Sequence, residues 1–478
     1  MGLRLWNTRT GALEEFAPAR PPRVAMYVCG LTPQDFTHVG HARAYVVFDT
    51  VRRYLEYRGF RVVYVQNYTD IDDKIIARAR EAGVEPHELA QRFMEECDYD
   101  FSRLNIRKPD ITPLVTEHID DIVAVVAKLV EGGFAYAAPD GSVYFRIARA
   151  RTFGSLTHQK LEAMRVGARV DPDERKEDPM DFALWKAAKE GEPSWDSPWG
   201  KGRPGWHIEC SVMGMKYLGQ QLDIHGGGID LIFPHHEAEV MQSEAYTGRV
   251  PFARFWLHNG HVTLSQEKMS KSVGNFRTVR EILGEFRPQE LRFHLLNTHY
   301  RKPLEWNPES LSGDAGGFRR IEKVVLDLRA RVRRARGEQD GRQARVMKGA
   351  SKMTQEVMRA FQEAMEDDFN TRAAIAAVFE FVRATNSFLE QEADLSVTTL
   401  NELHNTYTEL LGVLGLQVAD DGSSSGLAAE LVDYLLELRE QARERKDFKA
   451  ADAIRARLAA VGVEVEDSPA GPTWKLRA

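Results

Sequence analysis

The sequence predicts an α/β protein: a parallel-sheet domain that is split by an insertion and followed by an all-α helical bundle and a small C-terminal module. Three observations support this fold class. Two apolar strands flank one helix near the N-terminus, a segment rich in Pro, Gly and charge occupies about 137–204, and the pattern is almost entirely helical from Pro288 onward. Strand, helix and strand in this order indicate a βαβ unit and hence parallel strands.

The first half of the sheet follows from a short apolar run. Val24–Val28 predicts a buried strand, and the loop Gly30–Asp35 follows it. A helix is expected to begin near Thr37, a good N-cap residue, and to run through HVGHARAYVVFDTVRRYLEYRG to Gly59. RVVYVQNYTDID then predicts a second strand that ends in polar residues. Helices with short connections are expected over Asp73–Gly133.

The second half of the sheet is expected after the insertion, where strand-like segments return at QLDIHGGG and RFWLHNGHVTL. Within the helical region, Phe318–Lys352 is strongly basic; either a solvated helix face or an RNA-facing surface explains it. DDGSSSG, Asp420–Gly426, is a flexible linker by composition. Charged helices over LVDYLLELREQARERKDF and KAADAIRARLAAVG and a hairpin over VEVEDSPAGPTWKL complete the predicted C-terminal module.

The composition excludes several classes of protein. No apolar run reaches the ~20 residues that a membrane span needs, so no membrane partner is expected. Three cysteines cannot form a disulfide framework, which favours a reducing, cytoplasmic location. A net charge of −7 argues against coating of nucleic acid by the whole surface, although a local basic face remains compatible with it.

The motif HVGH lies where a strand turns into a helix. His38 and His41 share one helix face, and Gly40 between them leaves room for a flat group to approach the backbone. A helix start also offers free N–H groups and a positive dipole end to a phosphate. The alternative is that both histidines are capping or packed residues, and the motif alone does not decide between the two.

A second motif, SQEKMSKSVGN, places Lys268 and Lys271 in a loop with small hydroxyl residues and a glycine. A mobile cationic loop can close over negative charge that develops on a phosphoryl group. A lone KxxK pattern usually marks only a surface loop. Together, however, HxGH and KMSKS resemble the paired active-site motifs of class I aminoacyl-tRNA synthetases.

The cysteines suggest a metal site. Cys29 ends the first strand, Cys210 lies in WHIECS, and His235 and Glu239 in FPHHEAEV share a helix face at i and i+4. These four would form a zinc site of mixed S, N and O donors, with His236 as a competing ligand. The alternative for each cysteine is a buried, small apolar residue, and we interpret Cys97 in FMEECDYDF in that way.

Long stretches of the chain resemble bacterial cysteinyl-tRNA synthetases, and the resemblance covers nearly the whole sequence. It is carried by YVCGLTPQDFTHVGHAR, YVQNYTDIDDKI, FALWKAAK, GRPGWHIECS, LDIHGGGIDLIFPHHEAE, LHNGHVTLSQEKMSKSVGN, MEDDFNTRAAIA and EDSPAGPTW. The departures are minor: Val39 replaces the commoner isoleucine of the HIGH motif, Ala42 follows that motif, and Ala238 lies between the metal-ligand positions. None of them removes a group with chemistry.

The resemblance implies roles for individual residues. It implies a zinc site of Cys29, Cys210, His235 and Glu239, with one ion per subunit, and a HIGH motif over Leu31–His41. The catalytic set that it implies is His38, His41, Lys268 and Lys271, with Lys271 as the ATP-contacting lysine of the KMSKS loop. The implied amino-acid pocket contains Gly30, Thr69, Trp206 and His225. The implied contacts to ATP, bound with Mg²⁺, are Gly40, Gly228, Asp230 and Lys271.

The resemblance also implies a domain order and a reaction. A Rossmann-like catalytic domain is expected in two halves, 1–120 and 205–260, separated by an inserted acceptor-binding segment at 121–204. A connecting domain with the KMSKS loop is expected at 261–315. A tRNA-binding helical bundle at 316–418 and an anticodon-binding module at 427–478 are expected to follow. The expected reaction activates L-cysteine with ATP and transfers it to the 3′ end of cysteine tRNA, in a cytoplasmic monomer.

Two alternative functions remain at this stage. A related ligase joins cysteine to an amino sugar, and it would share the metal site and both motifs but lack the anticodon-binding tail. A non-catalytic RNA-binding relative is the other alternative. The basic helical region and the C-terminal EDSPAGPTWK argue against the sugar ligase, whereas HVGH, KMSKS and the four candidate zinc ligands argue against the non-catalytic relative.

Overall fold

The computed structural model describes residues 2–159, 175–264, 267–268, 276–334, 341–392, 395–418, 423–445, 447–460, 463–468 and 471–476. The chain divides into two compact units, Met1–Gln417 and Val418–Ala478. Among the described residues, no helix combines the length and the apolar character that a bilayer crossing requires.

A four-stranded parallel sheet forms the centre of the first unit, with the order β4-β3-β9-β10. Its strands are β3 (Arg23–Leu31), β4 (Arg61–Tyr68), β9 (Leu222–Gly228) and β10 (Ala253–Asn259). Val24 to Val28 are fully or almost fully buried, as expected for a strand covered on both faces. The α/β, Rossmann-like fold class is therefore confirmed, and the two halves of the sheet come from the two predicted segments.

A hairpin precedes the sheet, and helices cover it. The hairpin consists of β1 (Arg4–Asn7) and β2 (Ala12–Glu15), and Thr8 after β1 donates its N–H to the Trp256 carbonyl of β10 (3.0 Å). The helices of this region are α1 (Val39–Tyr57), α2 (Asp73–Ala82), α3 (Pro86–Arg103), α4 (Ile119–Glu131), α5 (Trp206–Leu218) and α6 (Glu237–Thr247). Apolar residues of α4 and α5 pack with the sheet in one core cluster.

The predicted start of α1 is wrong by one residue. His38, not Thr37, caps this helix: the His38 Nδ1 atom accepts the N–H groups of Gly40 (3.1 Å) and His41 (3.3 Å). The Thr37 hydroxyl donates instead to Asp100 Oδ2 (2.5 Å) on α3. A short polar side chain is the usual cap, but an imidazole nitrogen here accepts the same free N–H groups.

The insertion forms an antiparallel sheet of its own, in the order β5-β6-β7-β8. Its strands are β5 (Ala135–Ala137), β6 (Val143–Phe145), β7 (Phe182–Ala187) and β8 (Gly202–Pro204). The last of them leads directly into α5, so the insertion ends where the second half of the parallel sheet begins.

A small three-stranded sheet follows β10 and connects to the helical region. It contains β11 (Val262–Leu264), β12 (Glu267–Lys268) and β13 (Leu304–Glu305), and α7 (Val279–Leu283) and α8 (Pro288–Leu296) lie between the last two strands in sequence. Four helices then form the predicted bundle: α9 (Pro308–Arg334), α10 (Gly341–Glu366), α11 (Thr371–Gln391) and α12 (Val397–Val413).

The second unit contains two helices and a hairpin, as predicted: α13 (Ser423–Glu444), α14 (Phe448–Ala460), β14 (Val463–Ser468) and β15 (Gly471–Leu476). Leu436, Leu458, Val463 and Val465 form its core cluster. Two details of the prediction are wrong. The expected linker Asp420–Gly426 is helical from Ser423, and the first helix ends at Glu444 rather than continuing to Phe448.

Candidate active site

The candidate site lies at the carboxyl ends of the central strands, which is where open α/β sheets bind ligands. The pairing of β3 with β4 becomes irregular between Val28 and Leu31, and Cys29 and Gly30 lie in this irregularity. Cys210 comes from the second turn of α5, His235 from the kinked segment Ile232–His236 that precedes α6, and Glu239 from the first turn of α6. Helices and strands, rather than long loops, therefore position these donors.

The four predicted metal ligands converge in one buried cluster. Their donor atoms all lie within 4.8 Å of one another, and each of the four residues is at most 6% exposed. The Cys29 and Cys210 sulfurs are 3.6 Å apart, Cys29 Sγ is 3.5 Å from Glu239 Oε1, and His235 Nε2 is 3.2 Å from the same oxygen. Both cysteines are free thiols.

These separations fit a tetrahedral zinc site. With Zn–S bonds of about 2.3 Å and Zn–N and Zn–O bonds of about 2.1 Å, a tetrahedron has edges of about 3.8 Å for S–S, about 3.6 Å for S–O and about 3.4 Å for N–O. The three measured separations lie within about 0.2 Å of these edges. The donor set of two sulfurs, one nitrogen and one carboxylate oxygen also matches the chemistry that zinc prefers.

A second set of donors overlaps the first. Cys29 and Glu239 also lie within ligand distance of His225 and His236, and Cys29 Sγ is 3.2 Å from His236 Nε2. The His236 Nδ1 atom is 2.8 Å from His258 Nε2, and the His258 Nδ1 atom is 2.8 Å from the Thr8 hydroxyl. His236, the competing ligand in the sequence, is therefore near the site, but its set contains only one sulfur.

The thiols, the carboxylate and the imidazoles of the cluster lie so close together that they shift one another's pKa values. Burial and the contact with Cys210 raise the pKa of Cys29. Burial alone would lower the pKa of His235, but the charge of Cys210 and the hydrogen bonds to Cys210 and Glu239 raise it to about 10. Burial would raise the pKa of Glu239, but His225 and His235 lower it to about 2. A divalent cation bound among these donors would favour the ionised form of the thiols and of the carboxylate.

The predicted amino-acid pocket surrounds this cluster. Trp206 is 38% exposed and its ring stacks on that of His235, with centroids 4.4 Å apart. Thr69 is buried, and its hydroxyl donates to Glu209 Oε2 (3.0 Å). His225 is fully buried, its Nε2 lies 3.0 Å from Glu239 Oε2, and its ring stacks on Trp256. His225 therefore contacts a predicted metal ligand, and Trp206 presents the exposed face of the group.

Asn67 connects these residues, although no motif in the sequence indicated it. Its Oδ1 atom accepts the Gly30 N–H (2.9 Å) and the Tyr27 hydroxyl (3.1 Å), and its Nδ2 donates to the Thr69 hydroxyl (3.3 Å). Asn67 is fully buried. A polar residue near the carboxyl end of a strand in a parallel sheet is a signal for such a role, and the quoted stretch YVQNYTDID contains it.

Glu209 is a second residue near the site that no motif in the sequence indicated. It lies next to Cys210 on α5 and is 2% exposed. Burial and the neighbouring Cys210 raise its pKa, and the hydrogen bond from the Thr69 hydroxyl opposes part of this shift.

The HVGH motif forms the start of α1, beside the metal-ligand cluster in sequence. The rings of His38 and His41 stack with centroids 3.6 Å apart, and a methyl group on Gly40 would lie 3.0 Å from the His38 ring. The backbone here pairs with the segment that follows the KMSKS loop: Val39 donates to the Arg277 carbonyl (3.2 Å), and Val279 donates to the Thr37 carbonyl (2.9 Å). The start of α1 is thus paired with the described segment that follows the KMSKS motif in sequence.

The remaining predicted residues are only partly covered by the structure. Gly228 ends β9, and a methyl group there would lie 2.5 Å from Asp230 Oδ1, so these two predicted adenosine contacts are neighbours. The Asp230 Oδ1 atom is 3.8 Å from His261 Nδ1. Lys268 lies in β12, where its backbone pairs with Thr263 of β11. The Lys268 side chain and the whole of Lys271 lie outside the described residues.

Comparison with known families matches three parts of the chain. Residues 15–315 match the model for the tRNA synthetases class I (C) catalytic domain, residues 360–419 match the DALR domain, and residues 426–474 match the cysteinyl-tRNA ligase anticodon binding domain.

Curated relatives match over the full length of the chain. One is a cysteine–tRNA ligase of Pelotomaculum thermopropionicum, 48% identical over 99% of this chain and 99% of its own. Another is a cysteine–tRNA ligase of Moorella thermoacetica, 49% identical over 98% of this chain and 99% of its own.

Solved structures share the fold at low sequence identity. Mycobacterium tuberculosis methionyl-tRNA synthetase in complex with methionyl-adenylate is 15% identical, with a TM-score of 0.57 over 82% of this chain and 89% of its own. The Agrobacterium radiobacter K84 LeuRS in a ternary complex is 11% identical, with a TM-score of 0.60 over 84% of this chain and 85% of its own.

The parallel sheet, the histidine motif at the start of α1 and the matched catalytic domain define a class I aminoacyl-tRNA synthetase. Within that class, the full-length identity and the matched C-terminal module decide the family. The chain belongs to the cysteinyl-tRNA synthetases.

Proposed function

We propose that the protein is a cysteine–tRNA ligase, which activates L-cysteine with ATP and transfers the cysteinyl group to the 3′ end of cysteine tRNA. The observation that carries this proposal is the buried Cys29/Cys210/His235/Glu239 cluster, whose first member lies shortly before α1 in the sequence. The full-length relatives and the matched anticodon-binding module support the same reaction.

The first step requires alignment more than proton transfer. The carboxylate of cysteine is already anionic, so it attacks the α-phosphorus of ATP without a general base, displaces pyrophosphate and forms cysteinyl-adenylate. The chain contributes the start of α1 with His38 and His41, whose positive helix end suits a phosphate. Lys268 and Lys271 are proposed to add positive charge, and Mg²⁺ to accompany the nucleotide. Gly40, Gly228 and Asp230 are the proposed adenosine-side contacts.

Zinc, one ion per subunit, is the metal that we propose for the cluster, with Cys29, Cys210, His235 and Glu239 as its ligands. We prefer this set to the one with His225 and His236 because it contains two sulfurs. When bound, zinc supplies a Lewis-acidic centre that prefers the cysteine thiolate to the serine hydroxyl. Shape alone separates near-isosteric substrates by only about 1–3 kcal/mol. Gly30, Thr69, Trp206 and His225 would form the rest of the pocket.

The other domains are proposed to bind tRNA. In this proposal the insertion, 121–204, binds the acceptor end, the bundle, 316–418, contacts the body of the tRNA, and the C-terminal module, 427–478, binds the anticodon. The catalytic halves, 1–120 and 205–260, and the connecting region, 261–315, carry the chemistry. We expect the protein to act as a monomer in the cytoplasm, where its tRNA substrate is present.

Two assays test the proposal and separate the alternatives. Cysteine-dependent exchange of pyrophosphate into ATP, followed by charging of cysteine tRNA, is the expected result. Exchange without charging would favour the amino-sugar ligase. The absence of exchange would favour a non-catalytic RNA-binding protein.

The metal assignment predicts the behaviour of Cys210→Ser. A serine hydroxyl is a poor zinc ligand, so this variant should retain far less zinc and activate cysteine at least tenfold less efficiently. Metal content by elemental analysis and the exchange assay measure the two effects. Cys97→Ser, at a buried thiol on α3, is the control and should keep its zinc. Normal cysteine affinity in a zinc-free Cys210→Ser protein would contradict the role of the metal.

A further inference from the structure

Asp100 is a fully buried carboxylate of α3 that the proposed reaction has not used. Its Oδ2 atom accepts the Thr37 hydroxyl (2.5 Å), and its Oδ1 atom accepts the Nε–H of Arg280 on α7 (2.8 Å). Thr37 directly precedes the HVGH motif, and Arg280 follows the KMSKS motif closely in sequence. One side chain of α3 therefore joins the chain just before the first motif to the chain just after the second.

The backbone makes the same connection, but only over a short stretch. His38 and Thr278 face each other in an isolated antiparallel bridge, which two hydrogen bonds between 37–39 and 277–279 hold together. Each backbone hydrogen bond adds little net stability, because water competes for the same groups in the unfolded chain. The position of α7 against the start of α1 should therefore depend on side chains as well.

The Arg280 side chain has further contacts on both sides of this connection. Its guanidinium lies over the rings of Phe36 (4.6 Å to the centroid) and Tyr99 (5.3 Å), and it forms an ion pair with Glu96 of α3. A cation over the face of an aromatic ring is attracted by that ring. Phe36 belongs to the loop that leads into α1, so this loop contacts Arg280 directly as well as through the carboxylate. The loop, α3 and α7 thus meet at one arginine.

The metal-ligand cluster is not part of this network. In the part of the chain that the structure describes, no hydrogen bond or ion pair connects Thr37, Asp100 or Arg280 with any of the four candidate zinc ligands. Substitutions in the network should therefore affect the side of the site where α1 begins and leave the zinc cluster intact.

We propose that Asp100 is a positioning residue for the use of ATP, because it holds the start of α1 in place against the segment that follows the KMSKS motif. His38 and His41 lie at this start and are proposed to face the phosphates. Attack on a phosphorus atom depends on close alignment, so a small shift of α1 relative to that segment would slow the reaction. This inference rests on the proposed function and deepens it, since it names a residue outside both motifs and outside the zinc cluster on which the use of ATP depends.

Two substitutions break the connection at opposite ends. Thr37→Val removes the hydroxyl at nearly constant volume, and Arg280→Met removes the guanidinium but keeps an apolar stem. We would measure the KM for ATP, the KM for cysteine and kcat in cysteine-dependent ATP–pyrophosphate exchange, together with zinc content and unfolding in urea. Arg78→Met, which breaks an exposed ion pair with Glu81 on α2, is the matched control and should leave all values unchanged.

The expected loss is selective for ATP. In each single variant, kcat/KM for ATP should fall at least about tenfold, whereas the KM for cysteine and the zinc content should stay within about twofold. The double variant should lose no more than about threefold beyond the less active single variant, because either substitution alone already separates the two segments. Two independent contributions would instead multiply to about 100-fold.

Each of the other results would overturn the inference. Unchanged kinetics for ATP in both single variants would show that the carboxylate does not position α1. Equal losses for ATP and cysteine, or a loss of zinc or of the fold in both variants, would show that these contacts only stabilise the protein. A multiplicative loss in the double variant would show that the two contacts act independently. Absence of cysteine-dependent exchange in the unaltered protein would overturn the proposed function, and this inference with it.

Discussion

The backbone at Gly30 approaches β4 more closely than a side chain at position 30 would permit. A methyl group on Gly30 would lie 1.4 Å from the Asn67 carbonyl oxygen. The Gly30 N–H meanwhile donates to the Asn67 side chain, so the same residue fixes this backbone from two directions. Because Cys29 is the preceding residue, the position of its sulfur depends on the absence of a side chain at position 30.

Gly30→Ala should therefore damage the site and the fold together. The added methyl forces β3 away from β4, at a cost of about 1–3 kcal/mol typical of overpacked cores, and displaces Cys29. We expect a lower free energy of unfolding in urea and a reduced zinc content by elemental analysis. Gly313→Ala, on α9, has open space around the new methyl and should be neutral or slightly stabilising. Full zinc content in Gly30→Ala would show that the close approach does not position Cys29.

Single residues also show what the sequence could predict about the site. Cys29, Cys210, His235 and Glu239 were identifiable because cysteine and histidine carry metal chemistry by residue type and because His235 and Glu239 lie at helix spacing. Asn67 and Glu209 were not, because their roles depend on which atoms meet across β3, β4 and α5. Similarly, the choice between Thr37 and His38 as cap depends on the direction of the His38 ring, which no propensity records.

At the scale of elements, α1 is fixed along its length by buried charged residues. Near its start, the fully buried Arg43 donates to the carbonyls of His261 (2.7 Å) and Lys302, which flank the small sheet. Farther along, the buried Asp49 pairs with Arg53 (2.7 Å) and with Arg292 of α8. The helix that carries the HVGH motif is thus joined to the regions on either side of the KMSKS loop in sequence.

The Asp49 cluster makes a prediction about acid stability. Burial alone would raise the pKa of Asp49, but Arg292 and Arg53 hold it below its ordinary value. A carboxylate with a lowered pKa stabilises the fold fully above its unfolded pKa of about 4 and loses this effect as the pH falls through its lower folded pKa. Asp49→Asn should therefore reduce the free energy of unfolding by about 3–5 kcal/mol at pH 7, because two buried arginines lose their partner.

This deficit should be constant between pH 7 and pH 5. It should shrink below about pH 4, where Asp49 takes up a proton in the unfolded chain, and it should be lost once the pH falls through the lower pKa of Asp49 in the folded protein. Urea unfolding at a series of pH values measures the difference. Asp327→Asn, which removes an exposed partner of Arg331, should show little deficit at any pH. A deficit for Asp49→Asn that persists unchanged to pH 3 would contradict the role given to its charge.

At the scale of the whole molecule, the periodicity of apolar residues was sufficient to predict the order of the sheets and helices, but not the residues at which they begin and end. The parallel sheet, the insertion, the helical bundle and the final hairpin all follow from the alternation of apolar strands and helices. The linker prediction failed at Ser423 because serine and glycine, which favour flexible chain by composition, lie in the first turn of α13. Composition describes an isolated segment, whereas the end of a helix also depends on the neighbouring residues along the chain.

The division of the chain into two units predicts that its two reaction steps can be separated. All of the described site residues lie in Met1–Gln417, and Val418–Ala478 has a core of its own. A protein truncated after Gln417 should therefore keep its rate of cysteine-dependent ATP–pyrophosphate exchange within about threefold of the full chain. Its kcat/KM for charging of cysteine tRNA should fall at least about 100-fold, which corresponds to about 3 kcal/mol of transition-state binding. The full chain assayed in parallel is the control, and the zinc content of both should be equal. Loss of exchange on truncation would contradict the prediction, because the second unit would then be needed for chemistry on cysteine and ATP and not only for the tRNA.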